Sequence, residues 1–245
     1  DDYAEYARRI GRDPVHKAPE LLPQTVYGLP ELNRSAYAAD QRLVGNPGCF
    51  AMSCLMGLAP AVAAKLVTFD SLICDCKTGV SGAGKKATPI HHFPARYENM
   101  QAYRLSGHQH VMEVERMLGA IAGEAVPVTF TAQVVPVCRG ILSTLYGTLR
   151  DGIHLADVQA AYQDYHRANS FVRLYDSKAA IGTAHVRGTN YCNLTIDVDE
   201  RTRRLRVVAH IDNLMKGQAS NALQNMNIIC GLPEDTGLHF PGAYP

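Results

Sequence analysis

The feature that most constrains this chain is a cysteine that follows a sharp turn and starts a long apolar run. Asn46-Pro47-Gly48 precede Cys49, and residues 50–65 have helical spacing with apolar residues nearly all round. Pro and Gly are costly inside a regular element, so they predict a turn at this point. The run that follows predicts a buried helix. We therefore expect the Cys49 thiol at a helix N-terminus.

A thiol in that position is a candidate nucleophile. The positive end of a helix dipole and unpaired backbone N–H groups favour the thiolate, and the same N–H groups can stabilise an oxyanion. The plainer interpretation is a small buried cysteine beside a helix start, because free Cys is among the most buried residue types. The turn and a later histidine cluster favour the reactive cysteine, which predicts thioester chemistry.

Composition excludes several classes of protein. The 245 residues are 47% hydrophobic, enough for one large domain or two small ones, and the net charge of +1 gives no reason to expect nucleic acid or a membrane surface as partner. No apolar run approaches the ~20 residues that span a bilayer. The seven cysteines show no disulfide framework, which indicates reduced thiols in a cytoplasmic protein. Cys74-x-Cys76 has no second pair, so no metal site is expected.

The pattern of apolar residues predicts an α+β fold with a mixed, largely antiparallel sheet. Residues 1–40 are expected to form short helical turns and loops. Predicted strands cover residues 41–44, 67–76, 97–105, 127–137, 141–149, 171–175, 191–198 and 205–211, with a hairpin turn at 199–202. Further helices are predicted over residues 109–122, 155–168 and 214–229, the last closed by Gly231 and Pro233.

A glycine-rich stretch, residues 79–86, closely matches the sequence motif of a phosphate-binding P-loop. Lys86 stands where that motif needs Ser or Thr, and Thr88-Pro89 follows where a helix should begin. The stretch is therefore not a nucleotide site by that mechanism. A glycine loop with two lysines can still bind a phosphoryl or carboxylate group, although an ordinary mobile loop is an equal alternative.

Two imidazoles and a carboxylate come together in His108-Gln109-His110 and Glu113. They could bind a metal, with Glu113 or Glu115 as the third ligand, but the segment is predicted to turn helical where strand geometry would be needed. They could be ordinary histidines at a helix start. They could also supply a general acid/base for a cysteine nucleophile, with Glu113 orienting the ring.

Three further candidates are less specific. His91-His92 is a weaker acid/base candidate in a loop. Arg139 lies between two predicted strands, where its guanidinium group can form a bidentate hydrogen bond with a carboxylate or phosphate. The alternative is an ordinary surface arginine in a hairpin. Asp212 or Asn213 is a good N-cap for the last helix, a role that needs no ligand.

The chain resembles a known family of proteins over nearly its whole length. The matching stretches are residues 26–33, 45–49, 78–85, 107–110, 136–141, 190–192, 211–217 and 224–227, in the family's order. The chain is similar to the N-acetyl-gamma-glutamyl-phosphate reductases of arginine biosynthesis. These enzymes belong to the semialdehyde dehydrogenase group, which has a glyceraldehyde-3-phosphate-dehydrogenase-like catalytic domain with helices on one face of its sheet.

The resemblance implies an NADPH-dependent reduction of N-acetyl-gamma-glutamyl phosphate to the semialdehyde and phosphate through a cysteine thioester. It implies a small-molecule substrate, NADP as cofactor, and a homodimer or homotetramer. The implied catalytic residues are Cys49, His110, His108 and Glu113, with His110 as the acid/base; the substrate-binding residues are Ser81, Gly82, Lys85 and Arg139; and the cofactor-binding residues are Gly84, Asn213, Lys216 and Asn225. The alternatives are a lysine-pathway aminoadipyl-phosphate reductase, whose substrate is one methylene longer, and a non-catalytic fragment.

The chain also departs from the family. Ala51-Met52 stand where Pro-Thr is usual, Met112 replaces a Pro, and residues 218–221 lack the usual Ala/Gly-rich form. No Gly-x-Gly-x-x-Gly fingerprint is present, so we expect that roughly 100 residues of an N-terminal Rossmann domain are missing. Residues 1–45 are then the tail of the NADP-binding domain, 46–213 the catalytic domain, and 214–245 a helix and tail that return toward the cofactor site.

Overall fold

A seven-stranded mixed sheet forms the frame of the computed structural model, which describes residues 2–243. The helices are α1 (Asp2–Arg9), α2 (Pro30–Asn33), α3 (Cys49–Ala63), α4 (Phe93–Arg96), α5 (Gln109–Ala122), α6 (Leu155–His166) and α7 (Ser220–Ile229). The strands are β1 (Thr25–Tyr27), β2 (Leu43–Gly45), β3 (Leu72–Thr78), β4 (Gln101–Tyr103), β5 (Val128–Val134), β6 (Ile141–Thr148), β7 (Val172–Tyr175), β8 (Cys192–Asp199) and β9 (Arg204–Ile211).

The strand order in the large sheet is β4-β5-β3-β6-β9-β8-β7, and β1 and β2 form a small parallel pair beside it. Four of the six pairings in the large sheet are antiparallel, while β3–β5 and β7–β8 are parallel. The predicted α+β class with a largely antiparallel sheet is therefore confirmed.

The helix that the sequence predicts to be buried is α3, and it lies in the core. All its residues from Phe50 to Val62 are buried, because the helix lies on the sheet against β6 and β9 and is flanked by α5 and α6. Gly57 lets it approach the sheet closely, since a Cβ there would lie 2.3 Å from Leu145 Cδ1. A helix that is apolar all round can be stable only in such a position.

Helices cover one face of the sheet, as expected, and the strands alternate accordingly. Cys74, Leu145, Val207 and Leu194 face the helices and are fully buried. Residues at alternate positions, such as Tyr146, face the other side and are half-buried. We call this other side the open face; it carries Leu142, Thr144, Tyr146 and Val208.

Several element boundaries differ from those that the sequence predicts. The strand predicted at 67–76 begins only at Leu72, because residues 69–71 form a 3-10 turn, and it extends to Thr78. The strand predicted at 97–105 is reduced to β4. The helix predicted at 214–229 is divided into a π-helical turn over Met215–Ala219 and α7, because Asp212 accepts hydrogen bonds from Leu214 N and Met215 N and so caps this segment.

Candidate active site at the N-terminus of helix α3

Cys49 is the first residue of α3, where the sequence predicts it. Gly48 precedes it in an extended conformation and Pro47 is buried in the turn after β2. Gly217, in the π-helical turn, lies against Cys49, because a Cβ at Gly217 would be 3.0 Å from the Cys49 Cβ. The cysteine is half-buried, and the structure holds it between the turn and the C-terminal segment.

The resting protonation state of Cys49 differs from the expected one. Burial raises the pKa of the Cys49 thiol to about 11, although backbone N–H groups of Phe50 and Cys49 itself act in the opposite direction. The helix N-terminus alone would favour the thiolate. Desolvation is the larger effect here, so the resting group at neutral pH is the thiol, and a base must take its proton.

His110 lies directly against the turn that carries the cysteine. A Cβ placed on Gly48 would be 2.1 Å from His110 Nε2, so only glycine fits beside the ring. The ring stands edge-on to Phe50 at 5.9 Å. Burial, with His108 and Arg104 nearby, lowers the pKa of His110 to about 3, so the imidazole is neutral at pH 7 and can accept a proton.

His108 has a more structural position. It is the N-cap of α5, and its Nδ1 accepts a hydrogen bond from His110 N at 3.2 Å. Its ring packs between Phe130 and Tyr103, and burial lowers its pKa to about 4. His108 therefore fixes the start of the helix that presents His110.

Glu113 contacts the turn and not an imidazole. Its Oε1 accepts hydrogen bonds from Gly48 N at 3.0 Å and from the Tyr27 hydroxyl at 2.9 Å. Burial raises the pKa of this carboxyl group, against the effect of both hydrogen bonds. The expected orientation of the His110 ring by Glu113 is not what the structure has, because His110 Nδ1 is buried without a partner among the described residues. Glu113 instead fixes the backbone that leads into Cys49.

A cavity of about 530 Å³ opens on one side of the thiol, and we call it the cysteine cavity. Cys49, His108 and His110 line it together with Thr78, at the end of β3, and with Gly79 and Gly82 of the glycine loop. Lys86 and Arg104 contribute positive charge to the cavity, and no Asp or Glu is found in its described lining. This cavity is electrostatically suited to an anionic ligand.

The four predicted substrate-binding residues have different environments, and only some of them face the cysteine cavity. Gly82 lines the cysteine cavity, whereas Lys85 is exposed outside its lining and its neighbour Lys86 lies inside. The Ser81 hydroxyl accepts a hydrogen bond from Asn213 Nδ2 at 3.0 Å. Arg139 Nε donates to the buried carboxylate of Asp212 at 2.8 Å, so its charge is already compensated.

Sequence reasoning missed Arg104, Tyr103 and Thr88 as cavity residues, whereas Lys86 is one of the two lysines that it suggested for a phosphoryl or carboxylate group. His91, which the sequence suggested only weakly, also lines the cavity. Their position in the sequence could have identified two of them, because Tyr103 and Arg104 come at the end of a predicted strand, just before the histidines. The length of that strand and its place at the edge of the sheet could not be read from its residues.

The four predicted cofactor residues do not line one common cavity. Lys216 is fully buried, and its Nζ donates to Glu31 Oε1 at 2.7 Å, Gln224 Oε1 at 2.8 Å and Asn221 Oδ1 at 3.0 Å. Its ammonium is thus fully used in joining the C-terminal segment to α2.

The other three lie elsewhere. Asn213 Oδ1 accepts from Gly140 N at 2.7 Å, which ties the glycine loop to the hairpin before β6. Asn225 Nδ2 donates to Gly28 O at 2.9 Å and to Asn46 Oδ1 at 3.2 Å, so it supports the turn before Cys49. Gly84 lies in the exposed glycine loop with φ +75°.

A second cavity, of about 1010 Å³, adjoins the other side of the same turn, and we call it the turn cavity. Its lining includes Tyr27, Asn46, Gly48 and the exposed Gln218, and it shares Gln109 and His110 with the cysteine cavity. Gly48 N is held by Glu113 and the Asn46 amide by Gln218 O, Asn221 and Asn225, whereas the exposed Gln218 amide offers a donor and an acceptor that suit a carboxamide such as that of nicotinamide. Through Gln218 the lining therefore fits the reactive end of a nicotinamide cofactor.

Residues 2–243 contain neither a membrane-spanning helix nor a cluster of metal-binding side chains. No helix in this range is both long and apolar enough to cross a bilayer. Within the same residues, no group of three or more His, Cys, Asp or Glu side chains is placed to hold a metal ion.

Comparison with known proteins gives a consistent result. A family profile described as "Semialdehyde dehydrogenase, dimerisation domain" matches residues 49–213. A protein of Pelotomaculum thermopropionicum named N-acetyl-gamma-glutamyl-phosphate reductase is 47% identical over 230 residues, which cover 94% of this chain and 66% of that protein. One of the same name from Syntrophobacter fumaroxidans is 47% identical over 223 residues, which cover 91% of this chain and 64% of the relative.

The chain thus spans a little less than two thirds of the length of these relatives. Among solved structures, aspartate semialdehyde dehydrogenase II of Vibrio cholerae superposes with a TM-score of 0.68 at 19% sequence identity, covering 86% of this chain and 69% of that one. At this identity the similarity shows a shared fold.

Proposed function

This chain belongs to the semialdehyde dehydrogenase family, and we propose that it reduces N-acetyl-gamma-glutamyl phosphate to the semialdehyde and phosphate. The observation that carries the proposal is the site itself: a cysteine at a helix N-terminus, with the His110 ring against Gly48, opens onto a cavity without carboxylates. The names of the relatives that are 47% identical to this chain support the choice of substrate.

The chemistry begins with proton transfer. The neutral His110 takes the proton of the Cys49 thiol as the sulfur forms its bond to the carbonyl carbon of the acyl phosphate, so that no free thiolate has to accumulate first. The bond between that carbon and the phosphoryl oxygen breaks, and inorganic phosphate leaves with the bonding electrons. Backbone N–H groups in the first turn of α3, including that of Phe50, have no intrahelical partner and stabilise the oxyanion. The product of this half-reaction is a thioester on Cys49.

The second half-reaction needs a nicotinamide cofactor, and NADPH when bound supplies the hydride that reduces the thioester carbonyl. We propose that Gln218 holds its nicotinamide end in the turn cavity, beside the turn that Asn46 and Gly48 form. His110 lines both cavities. It therefore returns the proton to the departing sulfur when the aldehyde is released.

The first half-reaction requires no cofactor, so the 245-residue chain itself can test the proposal. We expect one equivalent of phosphate to be released from N-acetyl-gamma-glutamyl phosphate and the protein mass to rise by one acyl group. Peptide mapping should place that group on Cys49, and Cys49→Ser should abolish the mass gain. If wild-type protein is not acylated, it is not an enzyme of this class. Faster acylation by the aminoadipyl homologue would assign the lysine-pathway substrate; one methylene is worth about 1–3 kcal/mol in such discrimination.

We also propose that the chain self-associates through its open face, as a homodimer or a homotetramer. The matching profile is described as a dimerisation domain, and Leu142, Tyr146 and Val208 leave apolar surface half-exposed on this face. Val208→Asp should lower the mass seen by sedimentation equilibrium, whereas Ala160→Asp, on the exposed side of α6, should not. An unchanged mass for Val208→Asp would refute this interface.

A further inference from the structure

Arg104 combines an unusual backbone conformation with a position on the cysteine cavity. It has φ +47°, in the left-handed region that non-glycine residues rarely adopt, and it follows directly after β4. Such conformations persist only where the surrounding structure enforces them, and they are concentrated at ligand sites. Arg104 is exposed and lines the cavity that contains Cys49.

The guanidinium is separated from the catalytic imidazole by a single side chain. Arg104 Nη1 donates to Gln109 Oε1 at 3.3 Å, and Gln109 Nε2 lies 3.5 Å from His110 Nε2. The positive charge of Arg104 helps to lower the pKa values of both His108 and His110. Arg104 is thus close to the atoms that react, and not at the far end of the cavity.

The arginine that the sequence suggested for the substrate is in a different situation. Arg139 is paired with the buried Asp212, which also accepts hydrogen bonds from Gly188 N at 2.7 Å and from the π-helical turn. Arg104 has no carboxylate partner among the described ion pairs, and its hydrogen bond to Gln109 Oε1 is long, at 3.3 Å. The N–H groups of its planar guanidinium are therefore available to bind a ligand in the cavity.

We propose that Arg104 binds the phosphoryl group of the acyl phosphate, with Lys86 as the second cation of that subsite. This inference rests on the proposed function. In an acyl phosphate the phosphoryl group is attached to the carbonyl that Cys49 attacks, so it lies beside the imidazole, where Arg104 is. The guanidinium stabilises the charge that collects on the phosphate as the bond to the carbonyl carbon breaks.

The test compares two acyl donors that differ only in the leaving group. N-acetyl-gamma-glutamyl phosphate and the p-nitrophenyl ester of the same acyl group form the same thioester on Cys49. Arg104→Gln should lower the second-order rate constant of acylation by the phosphate about 10- to 100-fold, the effect of losing a hydrogen bond to a charged group. With the ester, the rate constant should stay within about twofold of wild type. Arg104→Lys, which keeps the charge but not the planar guanidinium, should fall between.

Arg203→Gln is the matched control. Arg203 also has a left-handed backbone, φ +52°, and it pairs with Asp151 at the opposite end of the sheet. Its replacement should leave both acylation rates unchanged. If wild-type protein forms no thioester, the proposed function fails. If wild type is acylated but Arg104→Gln reacts with the phosphate as fast, the assignment of Arg104 is overturned. Equal slowing with phosphate and ester overturns the phosphoryl assignment, because Arg104 would then act through the acyl group or His110.

Discussion

Replacement of Gly48 by alanine tests the central geometric feature of the site. Gly48 has φ −71° and ψ 147°, a conformation open to any residue, so its backbone does not require glycine. A Cβ would, however, lie 2.1 Å from His110 Nε2 and 2.4 Å from Cδ2. Ordinary contacts between carbon and nitrogen are about 3.5–4 Å, so the ring or the turn must move by more than an ångström. His110 packs against Phe50 and His108, so relief of the clash requires the turn to shift or the ring to leave its place beside the turn for the cavities that it lines.

The expected cost is that of overpacking a core, about 1–3 kcal/mol in the free energy of unfolding. For a chain of this size each kcal/mol lowers the melting temperature by about 2–4 °C. Displacing the base should also slow the acylation of Cys49 by about 100-fold or more, since general-base catalysis contributes at least that factor. Calorimetry and the acylation assay measure the two effects separately.

Gly45→Ala is the matched control, because the nearest atom to a Cβ there is Thr25 Cγ2 at 3.6 Å, an ordinary contact. It should be close to wild type in both measurements. In a His110→Ala background, Gly48→Ala should cost little stability, because the clashing ring is gone. A Gly48→Ala protein with wild-type melting temperature and acylation rate would refute the reasoning. So would one that is equally destabilised in both backgrounds.

Three further outcomes are expected. Because burial raises the pKa of Cys49 to about 11, its alkylation by iodoacetamide should keep rising with pH above 9, with Cys138 as an exposed reference thiol; a plateau by pH 7 would contradict this. Lys216→Met should cost about 3–5 kcal/mol by leaving Glu31 buried and unpaired, and adding Glu31→Gln should recover part of it. Burial alone raises the pKa of Glu31, and the contacts with Lys216 lower it. In the variant the carboxylate is therefore protonated at a higher pH than in wild type, so the deficit should begin to shrink as the pH falls through the variant's raised pKa and should continue to shrink below about pH 4, where the wild-type ion pair is lost as well. A pH-independent deficit in denaturation experiments would exclude the ion pair as its cause. Asn213→Ala should cost about 1–3 kcal/mol by leaving Gly140 N unpaired, and urea denaturation at a wild-type midpoint would disprove that role.

Much of the framework was predictable because its signals are local. The Pro-Gly turn and the apolar run that follows predict α3 to within a few residues, and alternating apolar residues predict most strands of the large sheet. The errors occur where a tertiary contact decides a boundary. The segment after Asp212 has a helical pattern, but the carboxylate caps it and the first turn becomes π-helical. The edge strand β4 is short because only three of its residues pair with β5.

In the candidate site, too, local sequence predicts some features and tertiary contacts decide others. Local sequence was sufficient to place Cys49 at a helix N-terminus and His110 in the first turn of α5. It could not show that the ring of His110 meets Gly48, that Glu113 binds the backbone of the turn, or that Arg139 is neutralised by Asp212. The last two pairings join residues 65 and 73 positions apart.

The protonation states were decided by tertiary structure alone. The helix position of Cys49 argues for a thiolate, but burial within the folded chain outweighs it and raises the pKa. Lys216 has the sequence context of a ligand residue and is instead buried against Glu31, 185 positions away. Turn chemistry and hydrophobic periodicity act over a few residues, so local sequence was sufficient to predict most of the elements and the place of Cys49 at a helix N-terminus. Desolvation and ion pairing depend on which distant segments pack together, so only the tertiary structure decided which charges face the cavity and which are neutralised in the core.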